Sequence, residues 1–207
     1  MSLDTFTESR VRSRCSWHTY ERLLQENESS SSPRFTFDQG WLEMMSPSLE
    51  HERVNDAFRQ LVGKIADHFG LDLFGTGSTT FRREDLQRGF EPDSSWYVHD
   101  ASIVRALRQL DLTAHPAPEL VLEIDISCSS LGKLDLYRAL GVGEVWRWTE
   151  GSLVIHILEE TGYRASPYSQ IFPTVESKAL SRLIHASSSS SRQDWNRLIA
   201  EWLTSLE

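Results

Sequence analysis

Apolar positions along this chain switch between a period near 3.6 and a period of 2. The switches predict helices and strands in mixed order. Ser16 reads as an N-cap, and Trp17, Tyr20, Leu23 and Leu24 follow at helical spacing, predicting a short amphipathic helix over 17–25. Arg34-Phe-Thr-Phe and Trp41 to Met45 flank Asp38-Gln39-Gly40 and read as a β-hairpin. Ser46-Pro47-Ser48 then opens a helix to about Phe69, with Gly70 as its stop. Its apolar stripe is Val54, Ala57, Phe58, Leu61, Ile65 and Phe69. In the first turn the spacing aims Glu50 and His51 at the interior and Glu52 at water. Short strands are expected at 71–74 and 79–82, with a polar turn from Glu84 to Gly89. Pro92 cannot donate a ladder hydrogen bond and so marks a strand entrance. In the strand Ser94 to His99, Trp96 and Val98 face one way, while Asp93, Ser95 and Tyr97 face the other.

The second half continues the mixture. A helix candidate, Ala101 to Leu110, leads through Pro116 and Pro118 into a strand, Leu120 to Ser127. One side of that strand is Leu120, Leu122, Ile124 and Ile126; the other carries Val121, Glu123, Asp125 and Ser127. Ser129 or Ser130 can cap the next helix, whose stripe is Leu131, Leu134, Tyr137 and Leu140 and whose stop is Gly141. A hairpin turns at Thr149-Glu150-Gly151 and is apolar on both faces, so it belongs in a covered position. Tyr163 to Ser169 reads as an edge strand, a helix follows at about 176–186, and Ser187 to Ser191 reads as a flexible linker. Trp195, Leu198, Ile199 and Trp202 recur at helical spacing and predict a final helix used for packing or a partner. The expected organisation is a helix and Ser-rich loop over 1–33, a main domain over 34–173, and C-terminal helices over 174–207.

Composition narrows this picture. The 207 residues suffice for one sizeable core, with 39% hydrophobic and 25% charged residues. Mean hydropathy is −0.39, no apolar run approaches a membrane span, and the N-terminus lacks a signal-peptide core, so a cytoplasmic protein is expected. Two cysteines, Cys15 and Cys128, are too few for a disulfide scaffold. Cys128 reads as a small half-buried side chain rather than a nucleophile. The net charge of −9 argues against a broad nucleic-acid-binding face. A carboxylate cluster that holds Mg²⁺ would reverse the sign locally.

Such a cluster is present in outline. Asp93 follows Pro92 at a strand mouth, while Glu123 and Asp125 interrupt a strand that otherwise reads as core, roughly 7 Å apart on one face. Lys133 follows ten residues after Glu123. Two carboxylates and a lysine suit phosphodiester hydrolysis. The acids hold Mg²⁺ or Mn²⁺ with water, and the lysine orients the attacking water or steadies charge on the phosphate. The competing reading is ordinary surface charge. His51 has two readings, a residue lining the site or a satisfied buried histidine. Gly75-Thr-Gly-Ser lacks the Gly-Lys-Ser/Thr of a phosphate loop.

The runs DQGWLEMMSPSLEHE, GFEPDSSWYV and PELVLEIDISCSSLGKLDLYRALGVGEVWRW resemble the Uma2 family, also labelled DUF820, within the PD-(D/E)XK nuclease superfamily. The resemblance runs from about Phe35 to Phe172. It implies an α/β (α+β mixed) fold with a restriction-endonuclease-like αβββαβ core, a central mixed sheet flanked by helices, an extra N-terminal hairpin and C-terminal helices. The metal site then lies where two neighbouring strands splay. The family's acids map to Asp93 and Glu123, and a histidine is common at the position of His51. Asp125 stands where the superfamily usually has its lysine, which implies a lysine moved to Lys133. The implied activity is a Mg²⁺-dependent endonuclease acting on DNA. Oligomeric state stays open; cutting both strands of a duplex would suit a two-fold dimer, to which Trp195 and Trp202, expected to be exposed, could contribute. The alternatives are a nuclease fold used for binding with little catalysis, and a hydrolase of small phosphoesters.

Overall fold

The computed structural model describes residues 8–126 and 131–206. Ser127, Cys128 and the caps expected at Ser129 or Ser130 lie outside the described residues. Two sheets build the molecule. The larger is mixed and contains β4 (Phe74–Gly75), β7 (Ser94–Tyr97), β8 (Leu120–Asp125), β9 (Glu144–Thr149), β10 (Ser152–Glu159) and β11 (Gly162–Ser166), in the order β11-β10-β9-β8-β7-β4. β8 and β9 are parallel; the other neighbours are antiparallel. The smaller sheet holds β1 (Ser9–Arg14), β2 (Arg34–Asp38), β3 (Trp41–Ser46), β5 (Phe81–Arg83) and β6 (Arg88–Phe90), ordered β1-β3-β2-β6-β5.

Helices fill the remaining layers. One face of the larger sheet, with Leu120, Leu122, Ile124, Trp146 and Trp148, packs against α2 (Leu49–His68), α5 (Ser177–Ser189) and α6 (Arg192–Thr204). Its other face joins Tyr97, Val121 and Val145 to α3 (Ala101–Arg105), α4 (Leu134–Leu140) and the Phe81–Phe90 face of the smaller sheet. The opposite face of the smaller sheet, with Phe35, Phe37 and Leu42, is covered by Trp17 and Tyr20 of α1 (Trp17–Glu26). The period-2 reading of β7 and β8 therefore holds, since their alternate residues enter different cores. Ser16 forms the expected N-cap, its Oγ accepting the Thr19 N–H, and Ser48, in the stretch expected to open α2, caps it by accepting the His51 N–H, each at 3.2 Å. Gly141 ends α4 in the left-handed region, at φ 84°.

Several expectations are corrected. β1 lies in a stretch whose arginine alternation carries no apolar period, and its ladder with β3 runs over six register pairs. The strand expected at 71–74 is reduced to Phe74–Gly75, and the helix from Ala101 stops at Arg105. The polar turn after Glu84 gives way to β6 at Arg88. Ser187 to Ser191 is no linker. The hydroxyls of Ser187, Ser188 and Ser189 bond back to the carbonyls three residues earlier and extend α5, while Ser191 caps α6 by accepting the Asp194 N–H. Trp195 is buried, not exposed, and its Nε1 donates to the Leu183 carbonyl at 2.7 Å, tying α6 to α5. Trp202 is half-buried.

Two stability predictions follow from this packing. A Cβ on Gly89 would lie 2.4 Å from the Oη of Tyr20, whose ring is fully buried and stacked on Phe37. Gly89→Ala should cost about 1–3 kcal/mol by overpacking, read as a lower denaturant midpoint, and Tyr20→Phe should recover part of the loss in the double variant. Burial, and then the Arg147 charge, pushes the His156 pKa down. The unfolded chain gains a proton near pH 6.5 that folded His156 refuses, so stability falls as pH drops below about 6.5. His156→Gln should flatten denaturant midpoints between about pH 7 and about pH 5.5.

Candidate active site

The antiparallel ladder between β7 and β8 ends at Ser94↔Leu122. β8 continues to Asp125 along its other neighbour, β9. The N–H of Ile124 is thus left without a strand partner on the β7 side, and Asp93 supplies one: its Oδ2 accepts that N–H at 2.6 Å. The strands therefore part at the two acids singled out from the sequence. Asp93 is 3% exposed and Glu123 is 1% exposed, so both carboxylates are inside the protein.

Buried charge needs counter-charge. Arg34, from β2 of the smaller sheet, donates to Asp93 Oδ1 and also to Glu52 Oε1 at 2.8 Å. Glu123 is held from the far side. Lys133 Nζ lies 3.1 Å from Glu123 Oε2, and the Tyr137 hydroxyl donates to Oε1. Lys133 sits in the 3-10 turn Leu131–Lys133 that leads into α4, and the turn returns it to the strand. Glu43 Oε1, on β3, lies 3.5 Å from Lys133 Nζ and 3.4 Å from Arg10 Nη1. Asp125 belongs to a neighbouring pair of ion contacts, with Arg147 Nε at 2.7 Å and Arg10 Nη2 at 3.3 Å.

His51 is fully buried in the first turn of α2, where the Ser48 cap fixes the backbone. Its Nε2 lies 3.1 Å from Asp93 Oδ2, within ion-pair distance but out of line for a hydrogen bond. Asn55, one turn on, donates to the Asp93 carbonyl and accepts from the Ser94 hydroxyl, which pins the strand mouth to α2. Glu50 is exposed, against the expectation that it points inward; Glu52 is exposed as expected.

The two acids are driven in opposite directions. Burial works to raise the Asp93 pKa, but His51, Arg34 and Lys133 outweigh it and the net direction is down. Glu123 goes up, from burial first and then Asp93, against the opposing pull of Lys133. Burial pulls Lys133 down, yet Glu123 and Glu43 carry it above its usual value. Lys133 is therefore an ammonium here, a donor rather than a base. His51 is likewise lowered by burial but raised overall by Asp93.

Arg34, Arg10, Glu43 and Tyr137 are the site residues that sequence reasoning missed. Tyr137 was visible only as part of an apolar stripe. Arg34 and Glu43 lie on the strands of the expected hairpin, but their approach to Asp93 and Lys133 depends on packing one sheet against the other. As metal ligands, Asp93 and Glu123 offer the hard oxygen donors that Mg²⁺ prefers, and two carboxylates plus waters is its usual protein complement. The upward push on Glu123 from Asp93 is a like-charge repulsion that a cation between them would relieve. Among the described residues no group of three His, Cys, Asp or Glu side chains converges as a complete ligand set. The donor chemistry fits a cation that keeps much of its water.

Comparison with known proteins agrees with this architecture. No curated protein matches the chain. A crystal structure described as a putative nuclease belonging to DUF820, from Anabaena variabilis, matches with a TM-score of 0.55 at 12% sequence identity, covering 78% of this chain and 98% of that one. At that identity the likeness concerns the fold, which is restriction-endonuclease-like. The model of a family described as "Uma2: Putative restriction endonuclease" matches residues 17–187. The chain belongs to the Uma2 family.

Proposed function

We propose that this protein is a divalent-metal-dependent endonuclease that hydrolyses DNA phosphodiester bonds at Asp93, Glu123 and Lys133. The observation that carries the reading is the return of Lys133 to within 3.1 Å of Glu123, which joins lysine and acids in one buried cluster despite Asp125 at the usual lysine position. Asp93 and Glu123 are the metal-holding pair. When bound, Mg²⁺ or Mn²⁺ supplies Lewis-acid charge on the phosphate and makes water acidic enough to attack. The chain's own groups do the rest. Arg34 and the Ile124 N–H hold Asp93 ionised and fixed. Tyr137 orients Glu123 through Oε1. Lys133 keeps its proton and donates to the attacking water or to phosphate oxygens as charge develops. His51 braces Asp93 from α2. Asp125, paired with Arg10 and Arg147, keeps those cations beside the centre.

A second reading has its own observation: the carboxylates already have cation partners within the protein, so a metal must compete with Arg34 and Lys133. On that reading the fold binds nucleic acid or protein with little catalysis.

Purified protein should nick or cut DNA with Mg²⁺ or Mn²⁺, and Asp93→Asn and Glu123→Gln should each abolish cleavage. Activity that survives both changes would remove the assignment. Lys133→Met should lower kcat on the order of 100-fold or more, in line with the loss of one charge-stabilising donor. Calorimetric titration with Mg²⁺ separates the two readings: heat that disappears in Glu123→Gln supports the metal site, and its absence in wild type favours the binding role.

A further inference from the structure

The arginine alternation that makes β1 leads outward from the cluster. Antiparallel register sets Arg12 opposite Glu43 and Arg14 opposite Trp41 on β3, so Arg10, Arg12, Arg14, Glu43 and Trp41 share one face. The row begins inside, where Arg10 touches Glu43 and Asp125. At about 3.4 Å per residue it reaches about 14 Å outward at Arg14. Burial falls along it: the Arg10 and Lys133 side chains are 7% and 10% exposed, Glu43 is 25% exposed, and Arg12 and Arg14 are exposed residues. Trp41 is one of the few large apolar side chains left open, at 36%. The Arg12 and Arg14 guanidiniums lie 4.6 and 4.2 Å from its ring centroid.

Neither Arg12 nor Arg14 has a carboxylate within ion-pair distance among the described residues, although the chain is strongly acidic. Two guanidiniums held on an indole are pre-organised donors whose charge no ion pair among the described residues takes up. Another opening beside the cluster is a cleft of about 960 Å³ between α2, α5 and α6. It is lined by Glu8, Glu50, Asp56, Asp125 and Glu150 against Arg53 and Arg192; Glu8 and Asp125 are paired with Arg10, which leaves Glu50, Asp56 and Glu150 beside two arginines, a poorer place for a polyanion.

We infer that the Arg12–Trp41–Arg14 strip is the track on which duplex DNA lies as it enters the site, its phosphates gripped by the two arginines. This rests on the nuclease reading for its direction toward Lys133, but binding tests it separately from catalysis. Salt slope is the decisive readout, because each phosphate contact contributes about 0.9 to it for duplex DNA.

The experiment measures anisotropy of a labelled DNA duplex with the full chain in EDTA, across a salt series, alongside Mn²⁺-dependent hydrolysis of bis(p-nitrophenyl) phosphate, a substrate too small to reach the strip. The double variant Arg12→Ala/Arg14→Ala should weaken duplex binding on the order of ten-fold at low salt and lower the slope by about 1 to 2. Small-ester hydrolysis should be unchanged, which also shows that the variant is folded. Arg12→Lys/Arg14→Lys should keep most of the slope. Unchanged affinity and slope in the alanine variant would overturn the track. So would a wild type that fails to bind duplex at low salt, or a variant whose only change is loss of a dimer. A wild type that binds with the expected slope but cuts no DNA with Mg²⁺ or Mn²⁺ supports the track and sinks the nuclease reading instead.

Discussion

Where β7 and β8 stop pairing, the N–H of Ile124 remains inside the protein, and the Asp93 carboxylate takes it. A buried donor left unmade costs about 1–3 kcal/mol, so this contact stabilises the point at which the sheet opens. It also brings a charge indoors, and that charge dictates the neighbours. Arg34 must come from the smaller sheet and His51 from α2, which places three elements of different layers around one side chain. The gap between the strands, the seating of one sheet on the other and the entry of α2 are thus consequences of the same carboxylate.

Glu123, the second acid, meets the same burial with different partners. Two carboxylates flank one peptide unit, and their surroundings push them apart: Asp93 toward ionisation, Glu123 toward protonation. Perturbed pairs in buried clusters occur at functional sites and in structural ion networks alike. Here the partners differ in kind. Asp93 is held by one arm of the Arg34 guanidinium, whose other arm is fixed on Glu52, and by a backbone donor, while Glu123 is held by a lysine and a phenol at the ends of side chains. The rigid acid defines geometry, and the strained one has the most to gain from an added cation. Removing a partner from such a cluster leaves an unpaired buried charge. Isosteric changes such as Asp93→Asn therefore separate chemistry from folding better than truncation does.

The legible part of this molecule is local. Alternation along β8 put Leu122 and Ile124 in one core and Glu123 on the other face, and the stripe of α2 put Phe58 and Leu61 in the core. Local polarity also misled where hydroxyls found helix carbonyls, as in Ser187 to Ser189. The arginines of β1 carry no apolar period because one face of an edge strand meets charged groups rather than a core. The position of Lys133 could be read, but its reach could not, since that depends on a single 3-10 turn. Arg34 was invisible as a site residue because nothing in a hairpin announces which distant acid it will meet.

The net charge of −9 proved a poor guide to the interior. Net charge sums over surface and core, whereas a ligand responds to what is unpaired and near. Arg34, Lys133 and Arg147 are buried and Arg10 nearly so, each spent on carboxylates that the fold itself takes out of water. Those pairs cancel over a few ångströms and contribute little field outside. The surface surplus of acid then decides solubility and long-range repulsion, not the chemistry of the cluster. An acidic protein can hold a polyanion only where cations remain that no carboxylate pairs with, and that depends on where register and packing leave them rather than on composition.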